Sequence, residues 1–381
     1  MEGRLSRVSS ALAAVPAPPL HSLLAAADRL RRAALTAASP LARALLVDRE
    51  RRVAFVGTAL IAVAFLASTT FPIWMIALGP LVWGVPHILA DIRYLIARQG
   101  YHRRPSVLLA IAGGAAATAA GYGVRGGLAS AGLVLVFSRG TYARRAIGFA
   151  VVAALFALAQ WAGPISDLAF AHLHNFVAVG LWWAWRPRST KLHFLPLLAF
   201  FAGAAALLYG AAEPLLRLTG GLSAPISGLS LQQLKYSLSP SPTGALAVRL
   251  VLLYGFGQAV HYIVWLRLIP EDDRPSPTPR SYGQSYWVLG RDVGAITLWL
   301  TAAGVAVFAV WALFTSAGAA RNAYLSVAFF HGDLELVAAA LLFSEARLSA
   351  GEGAPSRCIA EPSLYPSRVH AHIKAISRSS S

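Results

Sequence analysis

Residues 73–98 read IWMIALGPLVWGVPHILADIRYLIAR, with no charged side chain from Ile73 to Pro86. The run exceeds the ~20 residues a helix needs to cross a bilayer. Working outward, runs of the same kind occur at 53–68, 106–122, 124–138, 144–163, 166–186, 192–213, 244–269, 293–316 and 322–346. The first, third and fourth of the ten are short. The expected fold is therefore all-α: a polytopic transmembrane helix bundle of about ten spans, with its transmembrane domain at 53–347.

Composition agrees. Of 381 residues, 57% are hydrophobic and 13% charged, and the mean hydropathy is +0.58. A soluble chain of this size has too little interior for so much apolar side chain, so the lipid bilayer is the expected partner. The formal charge of +17 also suggests nucleic acid. That reading fails because the arginines sit in short clusters between apolar runs, as topology signals do. The one cysteine, Cys358, excludes an intrachain disulfide framework and a cysteine-based metal knuckle.

The clusters give an orientation. Arg49, Arg51 and Arg52 precede the first span, and arginines recur after every second span: Arg98, Arg103 and Arg104, then Arg139, Arg144 and Arg145, then Arg186 and Arg188, then Arg267 and Arg274, then Arg347. The intervening loops carry little positive charge. This alternation places both termini in the cytoplasm of a multi-pass protein of the bacterial inner (cell) membrane. Residues 1–52 form a cytoplasmic segment, in which Leu20, Leu23, Leu24, Leu30 and Ala34 predict a basic amphipathic helix. In the outer loop 214–243, Leu231, Leu234 and Leu238 predict a short helix on the membrane interface. Residues 270–292 read as a polar cytoplasmic loop and 348–381 as a disordered cytoplasmic tail. Gly113, Ala117 and Gly121 offer a small-residue stripe for close helix packing.

Five of the ten histidines fall inside spans: His87, His172, His174, His261 and His331. Asp91, Asp333 and Glu335 accompany them. Ionisable groups of the charged types cost on the order of 2.5–3.5 kcal/mol at this depth, and they mark functional sites by default. The histidines all lie on spans that run from outside to inside. Counted back from the polar ends of their spans, their depths agree within roughly 6 Å at the helical rise. Four parallel helices therefore offer imidazoles near one level. Trp83, His87, Asp91 and Tyr94 make one stripe, and Tyr254, Gln258, His261 and Trp265 make another. His331 and Glu335 share a face, with Asp333 off it. His172 and His174 point roughly 160° apart and have different jobs. This pattern predicts a membrane-embedded metal site, since imidazole suits Zn, Fe, Cu and Ni and carboxylates orient imidazole ligands. The plainer alternative is a set of separate helix–helix hydrogen-bonding groups.

Gly84-Val85-Pro86-His87, followed by Asp91, resembles the Gly-x-Pro-His-x-x-x-Asp segment of the Brp/Blh family of membrane β-carotene dioxygenases. Phe330-His331-Gly332-Asp333 is similar to a second histidine segment of that family. The resemblance covers two spans. It implies iron, Fe(2+), held by histidines from several helices, and oxygen-dependent cleavage of a carotenoid. The family's closely spaced histidine pair on one late helix is not reproduced; the Leu-separated pair here is on the sixth span. Zinc-protease, nucleophile-elbow, P-loop and dinucleotide motifs are missing. The expected function is a metal-dependent oxygenase or related oxidoreductase acting on a lipid or isoprenoid. His87, His172 or His174, His261 and His331 would hold the metal, and Asp91 and Glu335 would orient the ligands and serve catalysis. The alternative is a transporter or proton-coupled carrier using the same groups as a relay.

Overall fold

The structure, a computed structural model, describes residues 18–38, 45, 48–223 and 225–345. The expected tail 348–381, with Cys358, lies outside them, as do the first 17 residues. The described residues form helices, with one isolated bridge between Ile226 and Leu229 and no named strand. In chain order these are α1 (Pro18–Ala38), α2 (Arg49–Thr70), α3 (Pro72–Asp91, prolonged by a π-turn Ile92–Ala97), α4 (Pro105–Ala117), α5 (Val124–Phe137), α6 (Tyr142–Ala162), α7 (Pro164–Ala184) and α8 (Phe194–Leu208). The remainder are α9 (Glu213–Thr219), α10 (Leu231–Leu238), α11 (Gly244–Ile263, prolonged through a π-turn Val264–Leu268 to Asp272), α12 (Tyr282–Val293), α13 (Ala295–Leu313), α14 (Ala317–Ala328) and α15 (Phe330–Ser344).

Eight helices are long and apolar enough to cross a membrane. The chain counts α14 and α15 as one of these, Ala317–Ser344, with its break at Phe329. α4 reaches that length only with the π-turn Thr118–Tyr122 that prolongs it, and α5, apolar but 14 residues long, is not among the eight. α7 has the length but carries Asp167, His172, His174 and Asn175 in its run, and is not among the eight.

α11 is the central helix. Every residue from Val251 to Tyr262 is buried, the mark of a helix surrounded on all sides. By contrast, α13 has no buried residue. Trp182, Trp265, Phe200, Phe256 and Leu252 fill the main core between α7, α8 and α11.

Arginine and acidic residues meet at one end of the bundle. Arg52, at the start of α2, pairs with Glu271 at the end of α11. Arg186, just past α7, pairs with Glu50 and with Asp272. Arg98, past α3, reaches Asp273 and Asp292 at 2.8 and 3.1 Å, and Arg104, before α4, meets Glu345 after α15 at 2.6 Å. The ends of α3, α7, α11 and α15 therefore lie together, and these four helices run in one direction, as the loop charges predict. Burial works to raise the Asp292 carboxyl, but Arg93 and Arg98 hold it below the usual carboxylate range.

Three local readings are refined. The helix expected at 231–238 forms, and its Leu234 and Leu238 are buried against Ile73, Ile76 and Val251 while Gln232, Gln233, Tyr236 and Ser237 stay exposed, so that its apolar face meets protein. The stretch read as a polar loop at 270–292 contains α12, started by a capping box of Ser281 and Gln284. α12 packs on α1, where Asp28 accepts from the Tyr282 amide at 2.9 Å and Arg31 lies over the Tyr282 ring. The small-residue stripe is displaced: Gly113 and Gly121 face open space. Gly114 against Ser130 and Gly126 against Ala117 bring α4 and α5 together instead.

One close approach has a consequence for stability. A Cβ on Gly84 would run into the ring of Tyr324 on α14, which is itself buried. Gly84→Ala is expected to cost about 1–3 kcal/mol, typical of overpacking, read as a lower unfolding midpoint of the detergent-solubilised protein.

Candidate metal centre

Four helices deliver one imidazole each to the same level: His87 from α3, His174 from α7, His261 from α11 and His331 from α15. Ring centres lie 4.9 Å apart for His87–His331, 5.3 Å for His87–His261, 5.2 Å for His174–His261, 5.7 Å for His174–His331 and 5.8 Å for His261–His331. Imidazole nitrogens ~2.0–2.1 Å from a shared ion put their ring centres roughly 5 Å from one another. Ligand nitrogens of His87, His261 and His331 fall within 4.8 Å of each other.

The backbone selects the tautomers. Nδ1 of His87 lies 3.3 Å from the Trp83 carbonyl, that of His174 3.1 Å from Phe170, and that of His331 2.6 Å from Ala328. A carbonyl accepts only, so each Nδ1 carries the hydrogen and donates it. Each Nε2 is left with its lone pair, as a ligand requires. The break between α14 and α15 falls beside Ala328, whose carbonyl His331 uses. Nε2 of His87 and both ring nitrogens of His261 are buried with no hydrogen-bond partner. An orphaned buried nitrogen costs free energy, and a bound cation removes that cost.

Two carboxylates stand beside the imidazoles. Glu335, one turn beyond His331, accepts from Trp265 Nε1 at 2.9 Å and lies 3.5 Å from His261 Nε2. Asp91, one turn beyond His87, is fully buried and neither oxygen has a partner. Asp91, His261 and Glu335 also bring ligand atoms within 4.8 Å of each other. π-turns follow directly in both α3 and α11. Such turns are frequent where a helix is distorted for a site.

His172 does not join them. Its Nε2 lies 3.0 Å from the Leu238 carbonyl and its ring packs against Tyr254. Two residues along a helix turn a side chain to nearly the opposite face, so only one of His172 and His174 can look into the centre. Asp333 is also outside it, accepting from Thr118 at 2.5 Å. Two residues beside the centre escape a sequence reading. The ring of Tyr262 lies 4.8 Å from that of His87, and Tyr324 is buried against Gly84 with its hydroxyl unpartnered. The only signal for them is an aromatic next to His261 and a glycine three residues before His87.

A groove of about 550 Å³ runs between α3, α13 and α14. Val85 and Ile88, which bracket His87, and Ala328 and Phe330, near His331, line it, with Gly304 and Phe308 opposite. Its lining is apolar apart from Thr301 and Tyr324.

No family model matches the chain, and no curated protein and no solved structure matches it.

Proposed function

We propose that this chain is an integral membrane, metal-dependent oxygenase acting on a lipid-soluble substrate. It would cross the membrane ten times, α5 and α7 included, with both termini in the cytoplasm. The observation that carries the reading is the convergence of four imidazoles, three of which donate Nδ1–H to a carbonyl three or four residues back and so keep the Nε2 lone pair free, while His261 has both ring nitrogens unpartnered. A neutral four-imidazole set suits a divalent first-row metal, and two nearby buried carboxylates offset its charge. Iron is favoured because the segments around His87 and His331 resemble those of the Brp/Blh carotenoid dioxygenases. Ferrous iron, when bound, supplies the redox chemistry by which dioxygen attacks an unactivated carbon skeleton.

The residues of the chain do the rest. Trp265 fixes Glu335, and Glu335 faces the His261 ring. Tyr262 and Tyr324 close the centre on the α11 and α14 sides. The α3–α13–α14 groove offers a neutral hydrocarbon chain a path beside the ligand helices. An apolar lining also favours a lipid-soluble substrate over the polar cargo of a proton-coupled carrier.

The test joins metal analysis of the purified protein to the lipid and carotenoid profile of a deletion strain. The expected outcome is stoichiometric metal and accumulation of one lipid-soluble compound with loss of its oxygenated product. Gly304 has nothing around it within 4 Å, so Gly304→Trp fills the groove away from every ligand. Complementation with Gly304→Trp is expected to reproduce the deletion profile while metal content stays at the wild-type value. A wild-type profile would remove the groove from the substrate path.

A further inference from the structure

A four-imidazole site gives Asp91 a nearby positive charge but no bonding partner. Asp91 has 0% exposure and two oxygens without partners. Glu335, 1% exposed, keeps Oε2 free while Trp265 holds Oε1. His261, also 1% exposed, has both ring nitrogens free. A neutral imidazole carries one N–H. Donated to a carboxylate, it serves one of the three free oxygens and leaves two buried and bare. Among the described residues no Arg or Lys pairs with these carboxylates: the arginine pairs at the helix ends are taken, and the buried Arg321 donates to the Ile76 carbonyl at 3.0 Å. Stranding carboxylate oxygens in this way is costly.

The three residues do have the geometry of a ligand set. Their donor atoms lie within 4.8 Å of one another, and the set is separate from that of His87, His261 and His331 except for His261 itself. Two carboxylates and one imidazole from three different helices suit Fe, Mn or Zn in the divalent state. We propose that Asp91, Glu335 and His261 bind a second divalent cation beside the one held by the imidazoles, so that the centre is dinuclear. His261, common to both sets, would bridge the two ions as an imidazolate, one ring nitrogen to each, with its N–H proton released to solvent on metal binding. Asp91 and Glu335 are then metal ligands as well as supports for histidine. The inference rests on the four-imidazole reading, which stands without it.

The experiment counts ions. The full-length chain in detergent is loaded with Fe(II) under anaerobic conditions and desalted, and iron per chain is measured. Two ions per chain are expected in the wild type, and one in Asp91→Asn and in Glu335→Gln, both close in shape to the native side chains. Mössbauer spectra of the loaded wild type, prepared with 57Fe, are expected to show two iron environments, of which both variants lose one. One ion in the wild type, or two in both variants, overturns the second site and leaves the imidazole site intact. No iron at all overturns both. The wild-type count decides the matter even where a variant fails to fold.

Discussion

The double substitution His87→Ala, His331→Ala is expected to lower the metal content by one ion per chain while the helical fold is kept. His172→Ala is expected to leave the metal content unchanged. Both residues of the pair supply an Nε2 lone pair to the same space, with ring centres 4.9 Å apart, and both are held in that tautomer by a helix carbonyl. Even partners outside the first set of ligands commonly carry 10–100-fold in metal affinity, so losing two ligands is expected to exceed that. The fold tolerates the change because neither imidazole bonds a distant segment: His87 bonds within its own turn, and His331 bonds Ala328 three residues back across the α14–α15 break. His172 is the control, with the same residue type on the same helix as His174 but bonded to Leu238. Elemental analysis with circular dichroism of the same samples checks this. Wild-type protein without metal, or equal loss in His172→Ala and the double variant, would return the histidines to helix-packing groups.

Glu271→Ala is expected to cost about 3–5 kcal/mol, the range for removing one partner of a buried ion pair. Glu271 is 1% exposed and accepts from Arg52 Nε at 2.8 Å; Arg267 and Arg274 each reach its other oxygen at 3.2 Å. One substitution therefore strands charge from α2, from α11 and from the segment after it. Arg52 keeps bonds to the carbonyls of Leu45 and Pro277, which places the cost toward the lower end. Burial already pulls Arg274 down to about 10 against the pull of Glu271, so losing the carboxylate lowers it further. Denaturant titration in mixed micelles reads the change directly. A shift below 1 kcal/mol would show that the arginines find other partners or water.

Much of this was written in the chain. Apolar runs of spanning length give the helices because a backbone in lipid must satisfy its own hydrogen bonds. Arginine placement gives their relative direction because cations collect on one face. The four helices that bear the central histidines do run in parallel, and the rise per residue puts His87, His174, His261 and His331 at one level. Lateral arrangement was beyond that reading. Periodicity shows which face of a helix is unusual, but not which neighbour that face meets, since lipid and protein interior are both apolar. Only packing decided that His174 looks inward while His172 turns to Leu238. Packing also put Leu234 and Leu238 against Ile73 and Val251 and Tyr324 against Gly84, and gathered Asp91, His261 and Glu335 from three helices separated in sequence. The π-turns after Asp91 and Ile263 belong here too. They arise where tertiary contacts outweigh the local preference for the α-helix, and no residue spacing announces them.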